Sequence, residues 1–163
     1  MSTGRFAILE MRWPGKIEAG VTSDQTVSLT DIMATLAAVV DAALPNGAAE
    51  DSYNMLPVLL GEDGGAPVRR YTLQQTNKLE LAIRRGPWKY LDHKGSGGNN
   101  YDSERLIAYR LEDSAPDAPG QLYNLETDPG ERNNLYFEHA EIVEELKGKL
   151  ETFKSSGRSA PTR

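Results

Sequence analysis

The chain has no cysteine in its 163 residues. That excludes disulfides, a thiol nucleophile and thiolate metal sites. Histidine is nearly absent too: His93 and His139 are the two present, so a histidine-based catalytic or zinc site is poorly supplied. No apolar run approaches the roughly 20 residues of a membrane-spanning helix. The opening residues, MSTGRFAILEM, lack the long apolar core that directs export. Basic residues are scattered, in runs of no more than two, and the formal net charge is −6. Neither nucleic acid nor membrane is an expected partner, because phosphate neutralisation needs a clustered positive surface.

What is present is an ordinary soluble composition, 39% hydrophobic and 26% charged. The length supports one sizeable core. Phe6 to Trp13 reads as a mostly apolar strand stopped by Pro14-Gly15. Ser28-Leu29-Thr30-Asp31 has the form of a capping box, with Ser28 placed to accept from the Asp31 amide. Leu29, Ile32, Met33, Leu36, Val39, Val40 and Ala43 then recur at helical spacing until Pro45-Asn46-Gly47 ends the pattern. Met55 to Leu60 reads as one helical turn, and Gly61 to Pro67 as a flexible connector at a subdomain boundary.

Beyond Pro67 the pattern turns to strands. Leu79, Leu81 and Ile83 alternate with Glu80, Ala82 and Arg84, and Arg85-Gly86-Pro87 turns the chain into Trp88 to Leu91, predicting a hairpin. Lys94 to Asn100 is expected to be a mobile, Gly-rich tip, with no phosphate-cradling signature. His93 beside it is expected to be exposed. Leu106 to Leu111 and Gln121 to Leu125 read as further strands, and Thr127 to Gly130 as a turn. A last helix runs from about His139 to Lys154. Ile142, Val143, Leu146, Leu150 and Phe153 form its apolar face, and its charges are ordered to suit the helix dipole.

Four blocks, in order, resemble the C-terminal region of sulfatases of the arylsulfatase type, members of the alkaline-phosphatase-like superfamily. They are Arg12-Trp13-Pro14-Gly15-Lys16; Val27 to Thr35 with Leu44-Pro45 and Asp51-Ser52; Ala82 to Lys89; and Leu122-Tyr123-Asn124-Leu125 with Asp128-Pro129, Glu131 and Asn134-Leu135. Taken alone, the same residues read as turn, cap and sheet positions. The resemblance implies an α+β fold, with a small antiparallel sheet of about four strands over residues 68–126 packed by the C-terminal helix. Residues 1–67 would then be the strand-and-helix tail of the large α/β sulfatase domain, and 68–163 the C-terminal subdomain.

The resemblance also implies that the chemistry lies elsewhere. A sulfatase hydrolyses a sulfate ester with a formylglycine made in a C/S-x-P-x-R motif, beside a calcium ion held by Asp and Asn oxygens. In the family these groups precede the R-W-P-G-K block, so neither catalytic nor metal-binding residues are assigned in this chain, and no cofactor. Ser159-Ala160-Pro161-Thr162-Arg163 matches S-x-P-x-R literally, at a polar terminus with no helix to follow, and is taken as coincidence. Arg69, Arg70 and Tyr71 are the candidate substrate contacts, since paired cations can hold a sulfated or acidic glycan through charge-assisted hydrogen bonds. The partners implied are the N-terminal catalytic domain of a parent sulfatase, a sulfated substrate and, for the isolated chain, a second copy. The parent would work in the periplasm or outside the cell. The alternative reading is a stand-alone, non-catalytic binding module derived from a sulfatase.

Overall fold

The computed structural model describes residues 9–98 and 100–162. Leu73–Thr152 form one compact unit; the described residues before Leu73 join those from Phe153 onward in a second.

The sheet of the first unit is an antiparallel meander in the order β1 (Thr72–Gln75), β2 (Leu81–Arg85), β3 (Trp88–Leu91) and β4 (Gln121–Asn124). Register follows from the two-residue turn at Gly86-Pro87. Arg85 stands opposite Trp88 and Ile83 opposite Tyr90; across the next ladder, Tyr90 meets Leu122 and Lys89 meets Tyr123. Side chains alternate across a strand, so Ile83, Tyr90 and Leu122 share one face, and Ala82, Lys89, Leu91 and Tyr123 the other. Both faces are buried.

Helix α3 (Ala140–Ser156) covers the first face. Glu145 holds Arg85 in an ion pair, and the His139 ring, just before the helix, stands edge-on to Trp88 at 4.9 Å between centroids. Val143, Leu146 and Leu150 are buried beneath α3, as their spacing predicts, whereas Ile142 is only half-buried. On the second face Ala82, Leu91, Tyr123 and Leu125 form a core cluster. The α+β architecture, the sheet of four strands and the C-terminal helix agree with the sequence reading.

Two strand assignments do not. Leu106–Leu111 is a loop with a short 3-10 turn at Ile107–Tyr109, and Ile107, Tyr109 and Leu111 are exposed. Its place in the strand count is taken by β1, whose polar Thr-Leu-Gln-Gln sequence carries little strand signal. Leu79 lies before β2 in a turn, at φ +64 and exposed. The Gly-rich tip also differs from expectation. Gly97 is buried, and a Cβ there would lie 2.3 Å from Thr76 Cγ2, so the loop packs down where only glycine fits. His93 is buried with it, 7% exposed, rather than solvated.

In the second unit, α1 (Asp31–Val39) and α2 (Leu56–Leu59) stand where the sequence places helices. The capping box works in one direction: the Asp31 carboxylate accepts from the Ser28 amide at 2.8 Å, while the Asp31 amide donates to the Ser28 carbonyl. Ala34 N–H, still inside the first turn, is capped from a distance by Ser52 Oγ at 2.8 Å. The apolar positions Leu29, Ile32, Met33, Leu36 and Val40 are exposed, and the helix buries Asp31, Ala34 and Thr35 instead. Of the expected Phe6 to Trp13 strand, residues 6–8 lie outside the described residues, and 9–13 contain no strand.

Burial of α3 on the sheet separates two adjacent substitutions. Leu146→Ala, at a fully buried site, should cost about 2–5 kcal/mol. Glu145→Ala removes an exposed ion pair and should cost less than about 1 kcal/mol. Urea unfolding followed by circular dichroism measures both, and equal costs would contradict the packing described.

Candidate functional site

The three residues singled out for substrate contact do not converge. Arg69 is buried, and its guanidinium forms an ion pair with Asp31. It also donates to the Asp51 carbonyl at 2.6 Å, the Tyr71 carbonyl at 3.2 Å and Thr30 Oγ1 at 3.4 Å, and lies 4.3 Å from the Tyr53 ring centroid. Arg70 is exposed. Tyr71 is half-buried, its ring edge-on to Phe153 at 5.9 Å.

The Asp31–Arg69 pair is compensated on all sides. Asp31 accepts from Tyr53 N–H at 2.9 Å as well as from Ser28, and Thr35 Oγ1 accepts from Met55 N–H at 3.0 Å while donating to the Asp31 carbonyl. A buried charge pair survives desolvation only when its remaining valences are met in this way. Tyr53 donates its hydroxyl to the Ser159 carbonyl at 2.7 Å; burial first, then the Asp31 and Asp51 carboxylates against the opposing pull of Arg69, push its pKa up.

Ser159, the serine of the S-x-P-x-R match, is buried and donates to Asp51 Oδ1 at 2.6 Å, and its amide donates to the same oxygen at 2.9 Å. It ties the tail to the Asp51 loop, with Ala160 N–H on the Glu50 carbonyl at 2.9 Å. Arg163 of that match lies outside the described residues. His93 Nδ1 lies 3.1 Å from the Lys94 carbonyl and 3.7 Å from Glu80 Oε2, and its Nε2 has no hydrogen-bond partner.

In the first unit the L-Y-N-L and D-P-x-E-x-x-N-L residues finish the sheet. Asn134 Oδ1 accepts from Leu122 N–H at 3.0 Å, and Leu135 N–H donates to the Leu122 carbonyl at 2.8 Å, so the outer edge of β4 is paired without a fifth strand. Asp128 Oδ2 accepts the amides of Arg132 and Asn133 at 2.6 and 2.8 Å. Glu131, at φ +52, reaches Lys89 Nζ at 2.7 Å, and both side chains are 2% exposed. A cavity of about 340 Å³ adjoins this pair, lined in part by Tyr101, Glu112, Tyr123, Glu131 and Arg132. Sequence reasoning did not assemble it, because its walls come from β4 and three loops whose closure leaves no local pattern.

Among the described residues, no group of three or more His, Cys, Asp or Glu side chains could hold a metal ion. No described helix is long and apolar enough to cross a membrane.

No protein-family profile matches the chain. Individual proteins do. It is 36% identical over 145 residues to the N-acetylgalactosamine-6-O-sulfatase of Bacteroides thetaiotaomicron, an alignment covering 89% of this chain and 26% of the relative. It is 34% identical over 128 residues to human arylsulfatase A, covering 76% of this chain and 24% of that one. The chain is a homologue of the C-terminal part of sulfatases. Among solved sulfatase structures, one described with glycosaminoglycan metabolism in B. thetaiotaomicron superposes at a TM-score of 0.56 with 35% identity, covering 77% of this chain and 24% of that one. Ps i-CgsB shares the fold at a TM-score of 0.58 and 22% identity, over 86% of this chain and 27% of that one. The chain thus spans about a quarter of the length of the sulfatases it matches.

The role of Arg69 in this sulfatase-type scaffold can be measured. Asp31→Ala leaves the buried guanidinium without its counter-ion and should cost about 3–5 kcal/mol. Asp102→Ala breaks the exposed pair with Arg110 and should cost less than about 1 kcal/mol. Guanidinium chloride titrations at matched ionic strength compare them, and a tolerated Asp31→Ala would contradict a structural Arg69.

Proposed function

We propose that this chain is the C-terminal portion of a sulfuric ester hydrolase, supplying scaffold and substrate contact to a catalytic portion that carries the formylglycine and the calcium ligands. The observation that carries this reading is the 36% identity sustained over 145 residues to a sulfatase of which those residues are about a quarter. Residues 1–67 would belong with the large α/β domain of the whole enzyme and 68–163 with its C-terminal subdomain. Within the Arg69, Arg70 and Tyr71 set, Arg70 is the cation exposed to a sulfated or acidic group, and Arg69 holds the backbone of Tyr71 in place from beneath.

Two outcomes test the assignment. The chain alone, coexpressed with a formylglycine-generating enzyme and supplied with calcium, should not hydrolyse an aryl sulfate; turnover lost in Ser159→Ala would overturn that. Coexpression with the Bacteroides relative truncated of the matching C-terminal quarter should restore hydrolysis, and Arg70→Ala should lower kcat/KM in the restored enzyme. Failure to restore activity when both pieces fold would sink the proposal.

The isolated chain should also self-associate. Leu29, Met33, Leu36 and Val40 place an apolar stripe on the surface, and a two-fold dimer is the commonest way to cover such a patch. Sedimentation at micromolar concentration should show a dimer that Leu36→Glu dissolves. A monomer at the 17.9 kDa chain mass would contradict it.

A further inference from the structure

The cavity beside Lys89 and Glu131 belongs wholly to the first unit and takes no part in the contacts assigned above. Its volume, about 340 Å³, is at the lower end of small-ligand pockets and suits a sugar ring. Its walls interleave acceptors and donors. Asp102, Glu112 and Asp113 supply carboxylates, Asn100 an amide, Arg132 a guanidinium and Tyr101 a ring. Each sugar hydroxyl is at once a donor and an acceptor, so a mixed wall of this kind matches a polyol better than a purely apolar or purely cationic one does.

A second observation points to a ligand. Glu131 lines the cavity with its side chain 2% exposed; one carboxylate oxygen is held by Lys89, and the other, Oε2, is buried with no hydrogen-bond partner. An unmatched buried acceptor is costly, and here it sits on a residue whose backbone is held in the left-handed region. Oε2 is buried behind the wall, so a hydroxyl donor in the cavity would relieve it once the Glu131 side chain turns toward that space.

The charge of the walls decides which sugar. Four carboxylates line the cavity against two guanidiniums, those of Arg110 and Arg132. Asp102 holds Arg110 at 2.6 Å, and Lys89 neutralises Glu131, which leaves Glu112 and Asp113 against Arg132 alone. Tyr123, also in the wall, reports the same field: burial first, then Asp113, Glu131 and Asp128, push its pKa well up. An incoming sulfate would meet this negative potential at short range.

We propose that this cavity binds an uncharged, hydroxyl-rich sugar unit and rejects a sulfated one. The proposal deepens the sulfatase reading, because it assigns the chain a site for an unsulfated unit of a glycan. It tests independently, since binding requires no hydrolysis. The probes are galactose, N-acetylgalactosamine and N-acetylgalactosamine 6-sulfate, titrated against the full chain by saturation-transfer NMR. The neutral sugars should bind in the millimolar range, and the sulfated one about tenfold or more weakly, a difference of about 1.4 kcal/mol. Glu112→Arg, at an exposed position, should leave the circular dichroism spectrum unchanged and narrow or reverse that preference. Tyr101→Ala should weaken all three sugars alike. No saturation transfer from any of them, equal binding of neutral and sulfated sugars, or a preference unmoved by Glu112→Arg would each overturn the proposal. A null result here, beside restored hydrolysis in the coexpression experiment, would remove this site and leave the sulfatase assignment standing.

Discussion

The buried pair of Asp31 and Arg69 is the constraint on which the second unit depends. Neither charge is tolerable there alone, because removing an ion from water costs several kcal/mol that only a well-placed partner offsets. Satisfying both fixes the start of α1, the Asp51 to Tyr53 loop and the approach to β1 together, since each contributes a donor or acceptor to the same pair. Ser52 and Thr35 extend the arrangement by one bond each, the first capping α1 and the second holding Met55. The tail joins it through Ser159 on Asp51 and Tyr53 on the Ser159 carbonyl. The unit is therefore organised by polar valences, and its helix leaves its apolar stripe outside.

The first unit is organised differently. A period-two pattern in β2 and β3 puts apolar side chains on both faces, and each face finds cover: α3 over Ile83, Tyr90 and Leu122, and the loops after β3 and β4 over Ala82, Leu91 and Tyr123. The buried Lys89–Glu131 pair crosses that second layer, tying β3 to the segment that follows β4. Asn134 does for the edge of β4 what another strand would do. Words shared with sulfatases are thus accounted for by folding alone, which is why they identify a scaffold without locating a reaction.

This separation bears on function. Residues in such motifs invite catalytic readings, yet Asp128 caps a turn, Ser159 anchors a tail and Arg69 closes an ion pair. Arg70 stays exposed, and the cavity proposed for a ligand is walled by the Gly95, Asp113 and Glu131 loops together with β4. The proposed preference for a neutral sugar rests on the excess of carboxylates in that wall.

Much of the fold was legible in the sequence because it is written in short-range patterns. The period of α3, the two-residue turn at Gly86-Pro87 and the Pro-Gly and Asn-Gly stops act within a few residues, where backbone sterics and helical spacing decide the outcome. The sulfatase kinship was legible for the same reason, as ordered blocks along the chain. Other features depended on neighbours distant in sequence. The polar β1 is a strand only because β2 offers it an edge, and the Leu106 to Leu111 segment is not one because no strand lies beside it. His93 and Gly97 are buried because Thr76 packs against their loop. Arg69 became structural once Asp31, 38 residues earlier, came within reach of it. Sequence alone determined the helices, the hairpin and the family. Tertiary structure decided which charges are spent on the fold and which stay exposed, because that depends on which distant groups share a buried space.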